Sequence, residues 1–299
     1  MHIPDAMISG PVCPATSILA AGLIGIAAFK AIRTDKKTGH SDKKTEPADF
    51  AAVTALIFVF QMLNFPISGA TSGHLMGGVL AAGLLGVPAG ILSISLVLLV
   101  QAVFFGDGGL TVLGMNILLM AGMGAGFGGL LRLILIKGRK SPLTVHLSTA
   151  FAAWISVMAA ALLCCIFIAA GSDTRLSGII GPMLSVHAII ALGEALLTLV
   201  LMSAARYFPR LILPMAAALF LTPFASGYPD GLEFVAENFA LPEGILLFNA
   251  PMPDYSFPVL PESLSVMAAG LAGILICQIL ARGGIMLFKQ ISGSESKGE

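Results

Sequence analysis

LTVHLSTAFAAWISVMAAALLCCIFIAA, residues 143–170, contains no aspartate, glutamate, lysine or arginine. A helix that crosses a membrane needs about 20 consecutive, predominantly apolar residues, and this run exceeds that length. An apolar run of this length between polar flanks is typical of a transmembrane helix. The stretch therefore predicts that the chain lies in a lipid bilayer, and it decides the class of fold.

The rest of the chain repeats this pattern. Of 299 residues, 57% are hydrophobic and 11% are charged, against about 45–50% and about 25% in a soluble domain. The composition predicts an all-α, polytopic helical membrane protein. The net charge of zero argues against a nucleic-acid partner. Nine apolar segments, of which the third is short and the eighth marginal, cover residues 11–32, 50–67, 75–86, 88–105, 117–136, 143–170, 183–205, 211–226 and 263–281.

Lysine and arginine predict the orientation, because basic loops stay on the cytoplasmic side of a membrane. If the basic loop after the first segment is cytoplasmic, fifteen of the sixteen basic residues fall on that side, and Arg175 is the exception. The assignment requires the short third segment to cross, since the later loops otherwise change sides. The amino terminus lacks the basic region of a secretory signal. We therefore expect a multi-pass protein of the cell inner (plasma) membrane, with Met1 as an extracytoplasmic mature end.

The chain begins Met1-His2-Ile3-Pro4-Asp5, which offers the atoms of a metal chelator. The α-amine, the backbone nitrogen of His2 and one imidazole nitrogen of His2 can bind one divalent ion through a five-membered and a six-membered ring. Three nitrogens in a plane suit Ni(II) and Cu(II), and Co(II) also accepts them, whereas Zn(II) prefers a tetrahedron. Pro4 favours this interpretation because it keeps the terminus extended. The alternative is an initiator methionine followed by a histidine without a function.

Two glycine-rich loops are predicted on the same side as the amino terminus. The first, SGATSGHLMGG over residues 68–78, contains His74, the candidate for the fourth corner of the planar site. A single loop histidine is more often solvated or hydrogen-bonded than bound to metal, and spacing alone does not decide between these roles. The second loop, FGDGGLT over residues 105–111, lacks the GxxxxGK[ST] pattern of a nucleotide-binding loop. We interpret it as a tight turn near the metal site.

Titratable side chains within predicted spans are functional candidates by default. His187 and Glu194 lie seven residues apart and therefore share one helix face, about two turns apart. We interpret them as packing or helix-pairing groups, and an ion relay is the alternative.

The chain has no HExxH motif, which argues against a zinc protease site. Its four cysteines show no CxxC spacing and are interpreted as packing residues.

The segment from residue 227 to residue 261 differs from the rest of the chain. It is acidic and proline-rich, begins Tyr228-Pro229-Asp230-Gly231-Leu232-Glu233, and lies on the predicted outer side between two apolar segments. A lid, a cation collector and a solvated loop are the alternatives for its role. Its length predicts an appended module.

Four stretches together resemble the CbiM/NikM family, the substrate-binding S components of energy-coupling-factor transporters for cobalt and nickel. They are MHIPD at 1–5, SGATSGHLMGG at 68–78, QAVFFGDGGLTVLGMN at 101–116 and HAIIALGEALLT at 187–198. The carboxyl-terminal part resembles a PDGLE domain, the form of the small CbiN/NikN subunit. The resemblance divides the chain into a metal-binding membrane domain, 1–210, with about seven transmembrane helices in its core, and a PDGLE module, 211–299, with two spans and an extracytoplasmic loop.

The resemblance implies that the metal is held by the amine of Met1, by the backbone and side chain of His2, and by His74. It also implies a substrate-specific component that captures Co²⁺ or Ni²⁺ outside the cell as the transported substrate. The partners would be a transmembrane T component (CbiQ/NikQ-like) and two ABC ATPase subunits (CbiO/NikO-like). The chain has no Walker motif, so we expect no enzyme and no catalytic or cofactor-binding residues.

Two other classes of function remain open from the residues alone. A stand-alone secondary metal transporter or channel needs titratable groups along a midplane path, and His146, His187 and Glu194 are the available groups. An intramembrane metalloenzyme needs an open coordination position and a nearby base. A complete planar nitrogen field does not offer that open position.

Overall fold

The computed structural model describes residues 2–37, 46–67, 71–239, 241–242, 244–245, 247–257 and 259–294. Within these ranges the chain forms ten helices, one two-stranded hairpin and isolated single turns. The hairpin pairs β1 (Phe65–Ile67) with β2 (Thr71–Gly73) in antiparallel register. The helices are α1 (Val12–Lys37), α2 (Pro47–Gln61), α3 (Gly78–Leu85), α4 (Val87–Phe105), α5 (Leu113–Ile136), α6 (Pro142–Gly171), α7 (Leu176–Ala204), α8 (Ile212–Phe224), α9 (Gly231–Asn238) and α10 (Glu262–Ser294).

The predicted fold class, a polytopic helical membrane protein, is confirmed. Six helices of the described chain are long and apolar enough to cross a membrane. The opening stretch, predicted at 143–170, is helix α6, with Pro142 in its first turn, where a proline costs no hydrogen bond. The six are Val12–Ile32, Val87–Phe105, Leu113–Ile136, Pro142–Gly171, Leu176–Ala204 and Glu262–Met286.

The other three apolar segments also contain helices, but these helices are short. Helices α2 and α8 have 10–17 residues, and α3 has 8. An eight-residue helix rises about 12 Å, well below the hydrocarbon thickness of about 30 Å. The predicted number of spans therefore stays a prediction.

Helix α3 begins deep inside the protein. A side chain on Gly78 would collide with the backbone of Gly124, which lies in the middle of α5. The opposite end of α3 faces Met202 and Arg132 through Gly83, near the ends of α7 and α5. Residues 74–77 therefore bring the chain into the interior before α3 begins, and strand β2 and the start of α3 belong to one buried segment.

Several connecting segments meet at one end of the helix bundle. The amide of Ser9 donates to the carbonyl of Gly171, and that of Ser226 donates to the carbonyl of Asn64, at 2.9 and 2.8 Å. The amide of Gly109 donates to the carbonyl of Ile3 at 2.9 Å. This end, which we call the loop end, thus gathers the amino-terminal residues and the loops before α3, α5, α7 and α9. Which side of the membrane it faces stays a prediction.

Candidate metal centre

The amino-terminal residues lie inside the loop end and are held by hydrogen bonds to side chains and loop backbone. Ile3 is fully buried. The side chain of Asn116 accepts a hydrogen bond from the amide of Ile3 at 2.9 Å and donates one to its carbonyl at 3.0 Å. One side-chain amide therefore satisfies both backbone groups of Ile3, as a neighbouring strand would. This pair fixes the backbone directly after His2.

Asp5 provides the second anchor of this segment. Its carboxylate accepts hydrogen bonds from the amide of Leu110 at 3.2 Å, from the amide of Thr111 at 2.8 Å and from the Thr111 hydroxyl. Its carbonyl accepts a hydrogen bond from the amide of Ile245 at 2.9 Å. The amino-terminal segment therefore contacts both the loop before α5 and the segment after α9.

The structure brings together His2 and His74, the two histidines predicted from the sequence as ligands. Their rings stack with centroids 5.3 Å apart and planes 20° apart. Both side chains are less than a tenth exposed. Burial in this interior lowers the pKa of each imidazole to about 3. Both rings are therefore neutral at pH 7, which is the form that binds a metal ion.

The hydrogen bonds of His74 select one tautomer of its ring. Its Nδ1 lies 3.1 Å from the carbonyl oxygen of Leu75. A carbonyl oxygen only accepts hydrogen bonds, so Nδ1 carries the proton and the neutral ring has its lone pair on Nε2. This is the usual arrangement of a metal-binding histidine, in which the second ring nitrogen donates to a carbonyl or carboxylate.

Two carboxylates accompany the two histidines. Asp107 Oδ1 lies 3.1 Å from His2 Nδ1, and Asp230 Oδ2 lies 3.8 Å from His74 Nε2. The chelate predicted from the sequence closes its six-membered ring through His2 Nδ1. Metal binding at that nitrogen must therefore replace the Asp107 contact. His2 Nε2 is buried without a hydrogen bond of good geometry among the described residues.

Asp107 is itself oriented by Tyr255, which belongs to the segment after α9. The Tyr255 hydroxyl donates to Asp107 Oδ2 at 2.6 Å. The tyrosine ring stacks on Phe105, with centroids 4.8 Å apart. Burial raises the pKa of the Asp107 carboxyl, and it raises that of the Tyr255 hydroxyl well above its usual value, so the hydroxyl keeps its proton and remains the donor.

Asp230 serves both α9 and the site. One of its oxygens, Oδ1, accepts hydrogen bonds from the amides of Leu232 and Glu233, at 2.7 and 2.9 Å. The Glu233 side chain accepts in return from the amide of Asp230, which completes a capping box. The other oxygen, Oδ2, faces His74. The sequence PDGLE therefore starts a helix and presents a carboxylate to the site with the same aspartate.

The structure assigns separate contacts to His187 and Glu194, which the sequence suggested as packing or helix-pairing groups. His187 packs against Gly231, and its Nδ1 lies 2.8 Å from the carbonyl oxygen of Met183, one turn earlier in α7. Glu194 accepts hydrogen bonds from the backbone amides of Met76 and Gly77, at 2.6 and 3.0 Å. Glu194 therefore holds the segment that follows His74.

Several site residues were not identified from the sequence. Asp107 lies in the FGDGGLT loop, which the sequence predicts to be a turn near the metal site. No sequence pattern points to Tyr255, because its partner Asp107 is 148 residues away in the chain. Met1 lies outside the described residues. Within the described ranges, no group of three or more His, Cys, Asp or Glu side chains could hold a metal ion.

Comparison with protein-family models gives two matches. The model for CbiM, the cobalt uptake substrate-specific transmembrane region, matches residues 2–211. The model for the PDGLE domain matches residues 207–290.

Individual proteins and solved structures agree with these matches. A protein of Archaeoglobus fulgidus named as a fused nickel transport protein, NikMN, is 32% identical over 310 aligned positions, which cover 95% of this chain and 97% of that protein. The fused nickel transport protein NikMN of Rhodobacter capsulatus is 40% identical over 124 positions, covering 42% of this chain and 34% of that protein. A crystal structure described as a truncated transition metal transporter superposes with a TM-score of 0.59 and 28% identity, covering 69% of this chain and 98% of that chain. The chain therefore belongs to the CbiM family of cobalt uptake transmembrane proteins and carries a PDGLE domain at its carboxyl end.

Proposed function

We propose that this chain is the substrate-specific component of an ATP-driven energy-coupling-factor importer for Ni²⁺ or Co²⁺. Residues 1–210 form the metal-binding membrane domain, and residues 211–299 form the PDGLE module. The protein lies in the inner membrane with its amino terminus outside. It captures the ion there and passes it inward together with a T component and two ABC ATPase subunits.

The observation that carries this proposal is the stacked pair of His2 and His74. Residues 72 positions apart place two neutral imidazoles 5.3 Å apart at one end of a helix bundle. In this proposal the α-amine of Met1, the backbone nitrogen and imidazole of His2, and His74 Nε2 form a planar set of four nitrogens. Such a set suits Ni(II). The carboxylates of Asp107 and Asp230, each beside one of the two histidines, attract a divalent cation toward it.

Isothermal titration of the purified protein with Ni²⁺ and with Co²⁺ tests the site. Three changes should each abolish stoichiometric binding: His2→Ala, His74→Ala, and one residue added before Met1, which moves the amine. His146→Ala is the matched control, because His146 lies in the first turns of α6 and should leave binding unchanged. Intact-mass measurement must first show that Met1 keeps its free amine. Undiminished binding in all three variants would refute the site.

Metal uptake into vesicles separates the proposed importer from a secondary transporter. We expect uptake only when the T component and the ATPases are co-expressed and ATP is supplied. Uptake by this chain alone in ATP-depleted vesicles would support the secondary transporter instead.

A further inference from the structure

We propose that Glu194 is a positioning residue of the metal site and acts on His74 through a single peptide group, the one that joins Leu75 to Met76. This inference rests on the proposed function, since it concerns the strength of His74 as a ligand. It assigns a role to Glu194, a buried carboxylate that is not among the proposed metal ligands.

The first link is the pair of hydrogen bonds that Glu194 accepts. Its side chain is fully buried in α7, where an uncompensated carboxylate would be strongly unfavourable. Oε2 accepts from the amide of Met76 at 2.6 Å, and Oε1 accepts from the amide of Gly77 at 3.0 Å. Both oxygens act as acceptors, which is the pattern of an ionised carboxylate. Short bonds from backbone amides to a charged acceptor are among the stronger hydrogen bonds of a protein.

The second link is the opposite side of the same peptide group. The amide of Met76 and the carbonyl of Leu75 belong to one planar unit. The amide donates to Glu194, and the carbonyl oxygen lies 3.1 Å from His74 Nδ1. Hydrogen bonds in such a chain polarise one another. The negative charge of Glu194 therefore makes the Leu75 oxygen a better acceptor, and the stronger bond at Nδ1 makes His74 Nε2 a better electron-pair donor.

A separate contact holds the same segment without entering this chain of bonds. The Gln61 side chain donates to the carbonyl of Met76 at 2.9 Å, and that carbonyl belongs to the next peptide group. Gly77 has a φ of 76°, and a side chain on Gly78 would collide with Gly124, so the backbone here has little room to relax. Gln61 therefore holds the segment without polarising His74, whereas Glu194 does both, and substitutions at the two positions separate these roles.

The test compares Glu194→Gln with Gln61→Met in the full-length protein, using titration with Ni²⁺ and the visible d–d absorption of the bound ion. Loss of an outer partner of a metal-binding histidine weakens metal affinity about 10- to 100-fold, and we expect this for Glu194→Gln. Its d–d band should move to longer wavelength, because a weaker donor lowers the ligand field. Gln61→Met should weaken binding less and leave the band in place. Glu194→Asp, which keeps the charge, should bind Ni²⁺ more tightly than Glu194→Gln.

Thr198→Val is the control for a change in the same buried helix face, since Thr198 is buried and its hydroxyl has no hydrogen-bond partner among the described residues. It should match the unmodified protein in affinity and spectrum. An unchanged band in Glu194→Gln, or equal shifts in Glu194→Gln and Gln61→Met, would overturn the inference. Should Glu194→Gln fail to fold, Glu194→Asp decides, because its retained charge should keep the band close to that of the unmodified protein, and a band moved to longer wavelength would contradict the inference.

Failure of this inference can be told apart from failure of the proposed function. If His74→Ala abolishes Ni²⁺ binding while Glu194→Gln behaves as the unmodified protein, the site stands and the inference fails. If His74→Ala binds Ni²⁺ normally, the proposed site itself is wrong.

Discussion

At the scale of single residues, the candidate site depends on side chains that take the place of secondary structure. His2 belongs to no helix or strand, and its position follows from the neighbouring backbone. Asn116 binds both backbone groups of Ile3, and Asp5 binds the loop before α5. The first residues therefore gain rigidity that a free chain terminus lacks.

Asn116→Ala tests this anchoring. The change removes both hydrogen bonds to Ile3 and leaves its buried amide without that acceptor, which should destabilise the protein by about 1–3 kcal/mol. We also expect weaker Ni²⁺ binding, because the backbone that carries His2 is no longer fixed. Thermal unfolding in detergent and titration with Ni²⁺ measure the two effects. Asn238→Ala is the control, since the side chain of exposed Asn238 donates to the carbonyl of Phe234 in its own helix. Equal behaviour of the two variants would contradict the anchoring role.

At the scale of elements, the junction between β2, α9 and α7 joins the PDGLE segment to the site. The amide and hydroxyl of Ser72 donate to carbonyls of the segment before α9, at Pro229 and Tyr228, each at 2.8 Å. Gly231 begins α9 against α7, where an added Cβ would lie 2.6 Å from Ile190 and 2.9 Å from His187. The glycine of PDGLE therefore lets α9 begin in close contact with α7, next to the aspartate whose Oδ2 faces His74.

Gly231→Ala should disturb this junction. The added methyl group would have to displace the side chains of Ile190 and His187, and overpacking of this kind destabilises a protein by about 1–3 kcal/mol. Displacement of α9 should also withdraw Asp230 from His74 and reduce the rate at which Ni²⁺ is captured. Stopped-flow binding together with thermal unfolding checks both effects. Gly227→Ala is the matched control, because an added Cβ there meets nothing within 4 Å. A Gly231 variant as stable as this control would refute the packing requirement.

At the scale of the whole molecule, the loop end collects every described residue that we assign to the candidate site. The opposite end carries the basic connection between α5 and α6, with Lys137, Arg139 and Lys140. This separation is what the distribution of lysine and arginine predicts for a protein whose site faces outward.

Cysteine labelling in intact cells tests the predicted orientation. Asp173→Cys at the loop end and Lys140→Cys at the basic end both place a thiol at an exposed position. A membrane-impermeant maleimide should label the first variant and label the second only after the cells are opened. The unmodified protein is the control, because three of its four cysteines are buried. Labelling with the opposite preference would reverse the predicted topology.

Much of the fold could be predicted because apolar length is a local property of the sequence. Helix α4, predicted at 88–105, spans Val87–Phe105. The prediction for α7 began at residue 183, whereas the helix begins at Leu176 and includes Pro182, because polar and helix-breaking residues obscure the start of an apolar run. The sequence predicts that His2 and His74 lie together, because both are metal-binding side chains on the same predicted side of the membrane. It does not predict the contacts of Glu194 and Tyr255. Glu194 binds backbone amides and Tyr255 binds a carboxylate far away in the chain, and neither contact produces a periodic pattern in the sequence.

The buried position of the first residues also bears on how the molecule is made. Ile3 bonds to Asn116, and the carbonyl of Asp5 accepts from Ile245, so the start of the chain can be seated only after most of it has left the ribosome. The residues that are synthesised first reach their final place among the last. A nascent or truncated chain that ends before α9 therefore lacks the contact between Asp5 and Ile245 that helps to hold the first residues in place.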